Sequence, residues 1–279
     1  MMSVGKFLRL MKRAAAGAFY DNSFEIAKSA AYSSILSFFP GLMVVASLLF
    51  SRNVAAVVDE ISVALGRVLP AEAYKVAALY LTTHGKHTQG LLVGAWVVAI
   101  WSASNVIVSL MEGFRVAYRI PAGRSFLKTR AVALALLLLW GVPLASATLL
   151  LFFGQPIENW LTAHLGEVSW WVAPAGQFVR WVVALATSVL VLGLLYYIGP
   201  NRRQKWRLVW PGAALATVLW LLATLLFAWY VKNVARYSDL YGSISTAVVL
   251  LIWMYIVSLA VLVGCEFNAA YEKEAAGRR

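Results

Sequence analysis

The sequence predicts an all-α protein that crosses a membrane several times. This prediction depends first on composition, because 62% of the 279 residues are hydrophobic and only 13% are charged. Soluble domains carry about 25% charged and about 45–50% apolar residues. The mean hydropathy of +0.76 agrees with a membrane protein. A soluble globular enzyme is therefore strongly disfavoured, and a disordered chain is excluded because disorder requires low hydrophobicity.

Six stretches are long and apolar enough to form spanning helices, since about 20 apolar residues cross the bilayer core. They are Ala30–Phe50, Leu91–Leu110, Ala131–Phe153, Phe178–Ile198, Pro211–Val231 and Ile244–Gly264. The first begins too late and runs too long for a secretory signal peptide. No internal repeat or linker divides the chain, so residues 1–279 are predicted to form a single membrane domain.

Lysine and arginine are distributed unevenly between the two sides of this predicted bundle. Seventeen of the 24 lie in residues 1–29, 111–130, 199–210 and 265–279, on the side that holds both termini. Because cytoplasmic loops collect basic residues, both termini are predicted to be cytoplasmic. The net charge of +12 thus reports orientation and does not require a nucleic-acid partner.

The first outer segment, residues 51–90, has the pattern of two amphipathic helices. Apolar residues from Val54 to Leu69 recur on one helical face, and Pro70 begins a second pattern that continues to Tyr80. We expect these two helices to lie on the outer membrane surface or to cap the bundle.

No catalytic motif is found in the sequence. His84, His87 and His164 lie on the outer side without clustered carboxylates, and the three aspartates are far apart in the chain. A metal-dependent nuclease needs several such ligands close together. Glycine-rich phosphate loops and a nucleophile elbow are also absent. We therefore predict no enzymatic activity, no cofactor and no metal, and we expect Cys265 to be a buried structural thiol.

Polar groups within the first predicted span are candidates for function, because unsatisfied polar groups are costly in lipid. Ser33, Ser37 and Gly41 form a stripe of small residues that would let another helix approach closely. Pro40 predicts either a broken helix that lines a cavity or a kinked helix that is tightly packed.

The second and sixth predicted spans also carry polar side chains near their cytoplasmic ends. In the second span the polar side chains lie within one narrow arc of the helix. They are Ser102, Asn105, Ser109 and Glu112. Helix packing accounts for the two serines, so Asn105 and Glu112 are the candidates for a hydrated groove. In the sixth span Ala260, Gly264 and Asn268 repeat the small-residue spacing. Glu266 lies at the membrane edge, and we expect it to pair with Arg115 or Arg119, either as a structural ion pair or as a gate.

Four segments together resemble the YihY/virulence factor BrkB family of bacterial inner-membrane proteins. They are Ala30–Pro40 with Tyr32 and Ser37, Trp101–Ser104, Gly199–Arg203 followed by Trp206-Arg207 and Pro211–Ala213, and Tyr237–Ser243 followed by Trp253–Tyr255 and Gly264–Ala269. The resemblance covers nearly the whole chain and implies six spanning helices with cytoplasmic termini. Members were once labelled a tRNA-processing ribonuclease, ribonuclease BN. The absence of clustered metal ligands from this sequence argues against that activity here.

Two functional hypotheses follow. In the first, the chain is a passive transporter or lipid-handling protein of envelope biogenesis with a polar intramembrane groove. Ser37, Pro40, Asn105 and Glu112 would line the groove, and Arg236, Tyr237, Asp239 and Tyr241 would shape its outer mouth. Basic residues would contact anionic lipid headgroups, or would set topology alone; they are Arg124, Lys128, Arg130, Arg202 and Arg203.

The alternative hypothesis is a membrane scaffold that transports nothing. Its periplasmic helices in residues 51–90 would dock a partner from an envelope-assembly complex. The stripes of small residues would also allow contacts between subunits of an oligomer.

Overall fold

The computed structural model describes residues 4–50, 89–121, 123–139, 172–233 and 245–276. Within these ranges the chain forms helices joined by short loops and has no strand, which confirms the all-α class. The helices are α1 (Val4–Tyr20), α2 (Ser23–Phe50), α3 (Gln89–Ala117), α4 (residues 126–139), α5 (Val172–Ile198), α6 (Trp210–Asn233) and α7 (Ser245–Ala276). A short 3-10 helix, Trp206–Leu208, precedes α6.

Four segments of the described chain are long and apolar enough to cross a membrane. They are Val93–Ala117, Gly176–Ile198, Trp206–Asn233 and Ala247–Ala276, and they correspond to the second, fourth, fifth and sixth predicted spans. The first predicted span lies within α2, and α4 contains the beginning of the third. The total of six spans stays a prediction, and the expected amphipathic helices of residues 51–90 fall almost entirely outside the described residues.

The helix that contains the first predicted span is not interrupted at its proline. α2 continues from Ser23 to Phe50 with Pro40 inside it, so the structure has a continuous helix at the place where a break was one alternative. The stripe of small residues is only partly used for packing. Ser33 is buried, but no described atom lies within 4 Å of the position that a Cβ on Gly41 would take.

The last helix is longer than the sequence predicted. The sixth span was expected to end at Gly264, whereas α7 continues to Ala276. At a rise of 1.5 Å per residue, these extra turns add about 18 Å to the helix. The extension carries Glu272 and Glu274 to the positions where they meet basic residues of other elements.

An N-terminal helix, α1, packs against this extension of α7. Its buried face is formed by Leu10, Ala14 and Ala18, and two of these residues cluster with Phe267 of α7. Phe7 adds a ring contact, with its centroid 5.7 Å from that of Phe267. The turn to α2 places Asn22 in the left-handed region, at a φ of 54°, which asparagine tolerates better than most residues.

α6 and α7 approach each other very closely at two glycines. A Cβ on Gly264 would lie 2.7 Å from the carbonyl oxygen of Gly212 and 2.7 Å from the Cβ of Ala216. Nearby, the Asn268 amide accepts a 2.7 Å hydrogen bond from the Gly212 N–H and donates a 2.9 Å bond to the Val209 carbonyl. The predicted small-residue spacing of the sixth span is therefore confirmed as a helix-packing surface.

Residues from five parts of the chain meet at one end of the bundle, which we call the loop end. They are α1, the start of α2, the loop 118–125, the loop 199–209 and the last turns of α7. The two loops are joined directly, because Arg124 donates hydrogen bonds to the carbonyls of Ile198 and Gly199. The helices therefore run alternately towards and away from this end. Cys265 is buried here, as predicted.

Many large apolar side chains point outward from the described helices. Examples are Val97, Leu138, Phe178 and Leu225, each more than half exposed. Such a surface is unfavourable in water, and it is the surface that a lipid-embedded bundle presents.

Candidate functional site

A cavity of about 340 Å³ with a mixed polar and apolar lining opens among α2, α3, the start of α4 and the two loops at the loop end. Its apolar wall includes Ile26, Val108 and Met111. Its polar wall is lined by Ser29, Ser109, Glu112, Arg115, Arg124, Thr129 and Asn201. A neighbouring space of about 460 Å³ shares Gly123, Arg124 and Asn201 with this cavity and adds Ser125 and Lys128. We call the two together the loop-end cavity.

Glu112, predicted as a groove residue, lines this cavity as half of an ion pair. Its carboxylate accepts two hydrogen bonds from Arg115 one turn later, one of them 2.9 Å from Nε to Oε2. Arg115 also donates a 3.1 Å bond from Nη1 to the Ile120 carbonyl. Because a side-on pair of this kind fixes the plane of the guanidinium, Glu112 holds the Arg115 charge in the cavity wall.

Arg124, predicted to contact lipid headgroups, is held by backbone groups. Each of its Nη atoms donates a 2.8 Å hydrogen bond to a carbonyl at the C-terminal end of α5, one to Ile198 and one to Gly199. Burial lowers the pKa of the Arg124 guanidinium from its usual value, but arginine remains charged at neutral pH. The residue therefore completes the end of a helix and contributes a positive charge to the cavity wall.

Asn105, the other predicted groove residue, does not line the loop-end cavity. Its Oδ1 accepts a 2.7 Å hydrogen bond from Nη1 of Arg130, and the Ser104 hydroxyl accepts a 2.6 Å bond from the same atom. The guanidinium carbon of Arg130 lies 4.1 Å from the centroid of the Trp101 ring. The structure thus joins two residues that the sequence had assigned to separate features, and it adds Ser104 and Trp101 to them.

The other basic residues of the predicted headgroup set differ in their surroundings. Arg202 pairs with Glu272 of α7 and stacks 4.1 Å from the Tyr118 ring centroid. Burial raises the pKa of Tyr118, so that ring remains neutral. Arg203 and Lys128 are exposed. Arg202 therefore ties a loop to α7, whereas Arg203 and Lys128 are open to an approaching anion.

Glu266 does not pair with Arg115, contrary to one of the two expected pairings, because Arg115 is bound to Glu112. Its carboxyl instead has the Asp21 carboxyl, in the turn before α2, as an electrostatic neighbour of like charge. Glu266 is only 5% exposed, and its Oε1 has no hydrogen-bond partner. A Cβ added to Gly17 of α1 would lie 2.5 Å from Oε2 of Glu266. Arg119 is close enough for an electrostatic interaction but forms no ion pair with Glu266 in the described part of the chain.

The remaining predicted site residues are not part of the loop-end cavity. The Ser37 hydroxyl donates a 2.9 Å hydrogen bond to the Ser34 carbonyl of its own helix, and Pro40 is half-buried in α2. Arg236, Tyr237, Asp239 and Tyr241 lie outside the described residues, as do all three histidines. Among the residues that the structure describes, no three His, Cys, Asp or Glu side chains come together as a metal site.

Sequence reasoning missed the packing of α1 at the loop end, for which a signal was present, and the surroundings of Arg130, for which only part of the signal was present. The spacing of Leu10, Ala14 and Ala18 indicates an apolar face for α1, set against four basic residues. Trp101 and Ser104 lie one helical turn apart, on the same part of α3 as Asn105. Their proximity to Arg130 could not be foreseen, because it depends on how α3 and α4 pack.

The fold and the site define a helical membrane protein with a positively charged cavity at one end of its bundle. Comparison with known proteins agrees with this class. The chain belongs to the virulence factor BrkB family, whose model matches residues 15–279. No solved structure matches the chain.

Several relatives show how far the similarity extends. The putative ribonuclease-like protein YfkH of Bacillus subtilis is 32% identical over 248 residues, which are 87% of this chain and 88% of that protein. The UPF0761 membrane protein IL2447 of Idiomarina loihiensis is 33% identical over 103 residues, 37% of this chain and 36% of that protein. A UPF0761 membrane protein of Xanthomonas campestris is 26% identical over 259 residues. That match covers 90% of this chain but 57% of the relative.

Proposed function

We propose that this protein handles membrane lipids as a passive transporter, with the loop-end cavity as the place where a lipid headgroup enters. The observation that carries the proposal is the mixed lining of the cavity. Ile26, Val108 and Met111 supply an apolar wall, and Arg115 and Arg124 supply fixed positive charge beside it. A lipid has the matching combination of an apolar chain and a polar headgroup.

The balance of charge in the cavity favours an anionic headgroup. Arg115, Arg124 and Lys128 are basic, and Glu112 is the one acidic residue in the described lining. Basic groups near a membrane surface each attract anionic lipid with about 1 kcal/mol. In this proposal the loop end faces the cytoplasm of a bacterial inner membrane, as the distribution of basic residues predicts.

The groove is proposed to continue from this cavity towards the opposite end of the bundle. Ser37 and Pro40 would lie along it, and Arg236, Tyr237, Asp239 and Tyr241 would form its far mouth. The main support for this continuation is the sequence pattern, together with the polar arc of α3 that begins at Glu112. The structure offers no observation that favours the scaffold hypothesis, because the proposed docking helices lie outside the described residues.

The proposal is tested by lipid movement in proteoliposomes with the Glu112→Gln variant. Glutamine keeps the shape of the side chain but loses its charge, so it cannot hold Arg115 through the same side-on pair. We expect movement of fluorescent phosphatidylglycerol, read by chemical quenching of the outer leaflet, to fall about fivefold, the effect of losing roughly 1 kcal/mol.

The matched control is Glu25→Gln. Glu25 also pairs with a basic residue three positions later, Lys28, but both side chains are more than 60% exposed and neither lines the cavity. We expect this variant to move lipid at the wild-type rate. The proposal would be contradicted if the Glu112→Gln variant elutes as a folded protein and still moves lipid at the wild-type rate. It would also be contradicted if the wild-type protein moves no more lipid than empty liposomes do.

A further inference from the structure

The hydrogen-bond partners of Arg130, in the first turns of α4, are neutral groups throughout the described part of the chain. Its Nη1 donates to the Ser104 hydroxyl at 2.6 Å and to the Asn105 amide oxygen at 2.7 Å, and both acceptors belong to α3. Two short bonds to one nitrogen fix the direction of the guanidinium. Ser104 is fully buried, so this anchor is a permanent part of the helix interface.

Two aromatic rings cover the same guanidinium on the outer side of the bundle. Its carbon lies 4.1 Å from the Trp101 ring centroid and 5.6 Å from the Phe126 ring centroid. Trp101 is 53% exposed and Phe126 is 68% exposed, so both rings face whatever surrounds the protein. Cation–π contacts orient a guanidinium but leave its full positive charge in place.

Arg130 differs from Arg115, Arg124 and Arg202 because it has neither a carboxylate nor a pair of carbonyls as partner among the described residues. Arg115 pairs with Glu112, Arg202 pairs with Glu272, and Arg124 donates to two backbone carbonyls. Arg130 forms no ion pair with any residue that the structure describes, and its Nε is buried without an acceptor. Such a charge at a membrane edge is costly unless an anion neutralises it.

The donors of Arg130 that have no acceptor among the described residues lie on one edge of the guanidinium, which is formed by Nε and Nη2. Nη1 is occupied, Nε has no acceptor, and Nη2 donates to none of the described residues. This edge is the one that Arg115 uses to bind the Glu112 carboxylate. Phosphate oxygens match the same two-donor geometry, which is why arginine is a preferred phosphate ligand.

We infer that Arg130 binds the phosphate group of a membrane lipid at the interface between α3 and α4. Asn105 and Ser104 are positioning residues, because they aim the guanidinium without contacting the ligand. The inference rests on the proposed lipid-handling function and names the group that is recognised. Free inorganic phosphate has the same chemistry, but the exposed apolar residues Trp101, Phe126 and Leu127 around the site favour a phosphate that carries acyl chains.

The experiment uses the full-length protein reconstituted in nanodiscs that contain phosphatidylcholine and a photoactivatable phosphatidylglycerol. After illumination, mass spectrometry measures the lipid crosslinked to peptides that contain Trp101 or Phe126. We expect Arg130→Gln to lower this crosslinking about fivefold and Asn105→Leu to lower it by a smaller factor. Arg130→Lys keeps the charge without the two-donor edge and should give an intermediate value.

The control variant is Lys205→Gln, which removes an exposed basic residue from the loop 199–209 and should leave this crosslinking unchanged. Equal crosslinking in wild-type protein and in folded Arg130→Gln, Arg130→Lys and Asn105→Leu would overturn the inference. A second arm adds inorganic phosphate at millimolar concentration. Loss of the crosslink in that arm would identify a free anion as the ligand and overturn the assignment to lipid.

The outcome is separable from that of the transport assay. If Arg130→Gln loses the crosslink while the wild-type protein moves no lipid, the binding site stands and the proposed transport fails. If lipid movement depends on Glu112 while the crosslink is independent of Arg130, the transport proposal stands and the Arg130 site fails.

Discussion

Individual charged residues at the loop end have very different partners although they have similar sequence contexts. Arg124, Lys128, Arg130, Arg202 and Arg203 were all predicted to contact lipid headgroups. Arg124 caps α5, and Arg202 pairs with Glu272, a residue 70 positions away. Sequence position indicates which side of a membrane a basic residue occupies, but the partner depends on loop packing. The sequence therefore predicts on which side these basic residues lie, and it does not predict the partner of each one.

The pair of carboxyls formed by Asp21 and Glu266 leads to a prediction about stability. Glu266→Gln should raise the thermal midpoint, because the amide removes a like charge and can donate a hydrogen bond to Asp21. A gain of about 1 kcal/mol corresponds to roughly 2–4 °C in a protein of this size. The midpoint is measured in detergent at pH 7.5 by the loss of the monodisperse peak after heating.

Glu274→Gln is the matched variant, and it is expected to change the thermal midpoint in the opposite direction. Glu274 lies two turns later on α7 and pairs with Lys6 at 3.6 Å and Arg13 at 3.8 Å. Losing its charge should lower the thermal midpoint, because two basic residues of α1 lose their acidic partner. A fall in the midpoint of Glu266→Gln would show that its carboxylate stabilises the fold and would contradict the prediction.

At the scale of helices, the apolar stretches predicted where spanning helices lie better than they predicted where those helices end. α3 and α7 both continue beyond the predicted ends, to Ala117 and Ala276. Hydropathy detects the part of a helix that is in lipid, but a helix can continue into the polar region when other elements pack against it. α1 supplies this packing for α7, through Leu10, Ala14 and Phe267.

The close contact of α6 with α7 predicts a strong effect of a single methyl group. In Gly264→Ala the new Cβ would lie 2.5 Å from the Tyr196 hydroxyl, which itself donates a 2.6 Å hydrogen bond to the Val261 carbonyl. Overpacking of this kind costs about 1–3 kcal/mol, so the thermal midpoint should fall by several degrees.

Gly94→Ala is the control for this substitution. Gly94 also lies inside a spanning helix, but no described atom is within 4 Å of the position of an added Cβ. Alanine should leave the midpoint unchanged or raise it slightly, because it favours helix more than glycine does. Equal midpoints for the two variants would contradict the tight packing of α6 on α7.

For the whole molecule, the convergence of α1, two loops and the end of α7 predicts a defined membrane topology. On a Cys265→Ala background, Arg203→Cys lies at the loop end and Asn233→Cys lies at the opposite end of α6. Both native side chains are exposed. We expect a membrane-impermeant maleimide to label position 233 in spheroplasts and position 203 in inverted vesicles, because basic loops face the cytoplasm.

The reverse labelling pattern would overturn the predicted orientation and leave the fold intact. Labelling of both positions from one side would contradict the alternating arrangement of helices. The sequence predicted this arrangement from apolar lengths and basic loops alone. It did not predict which loops touch, because those contacts join residues about 75 positions apart, as between Arg124 and Gly199.

The packing of α1 on α7 has a consequence for the order in which the protein is made. α1 precedes α7 in the chain, so it leaves the ribosome before its partner surface around Phe267 and Tyr271 is synthesised. Until then, Leu10, Ala14 and Ala18 lack the α7 surface that covers them, and the basic residues beside them favour the lipid surface as a temporary location. Docking of α1 therefore has to wait for the last turns of α7, and a nascent chain that lacks these turns keeps an undocked α1 that a protease can reach.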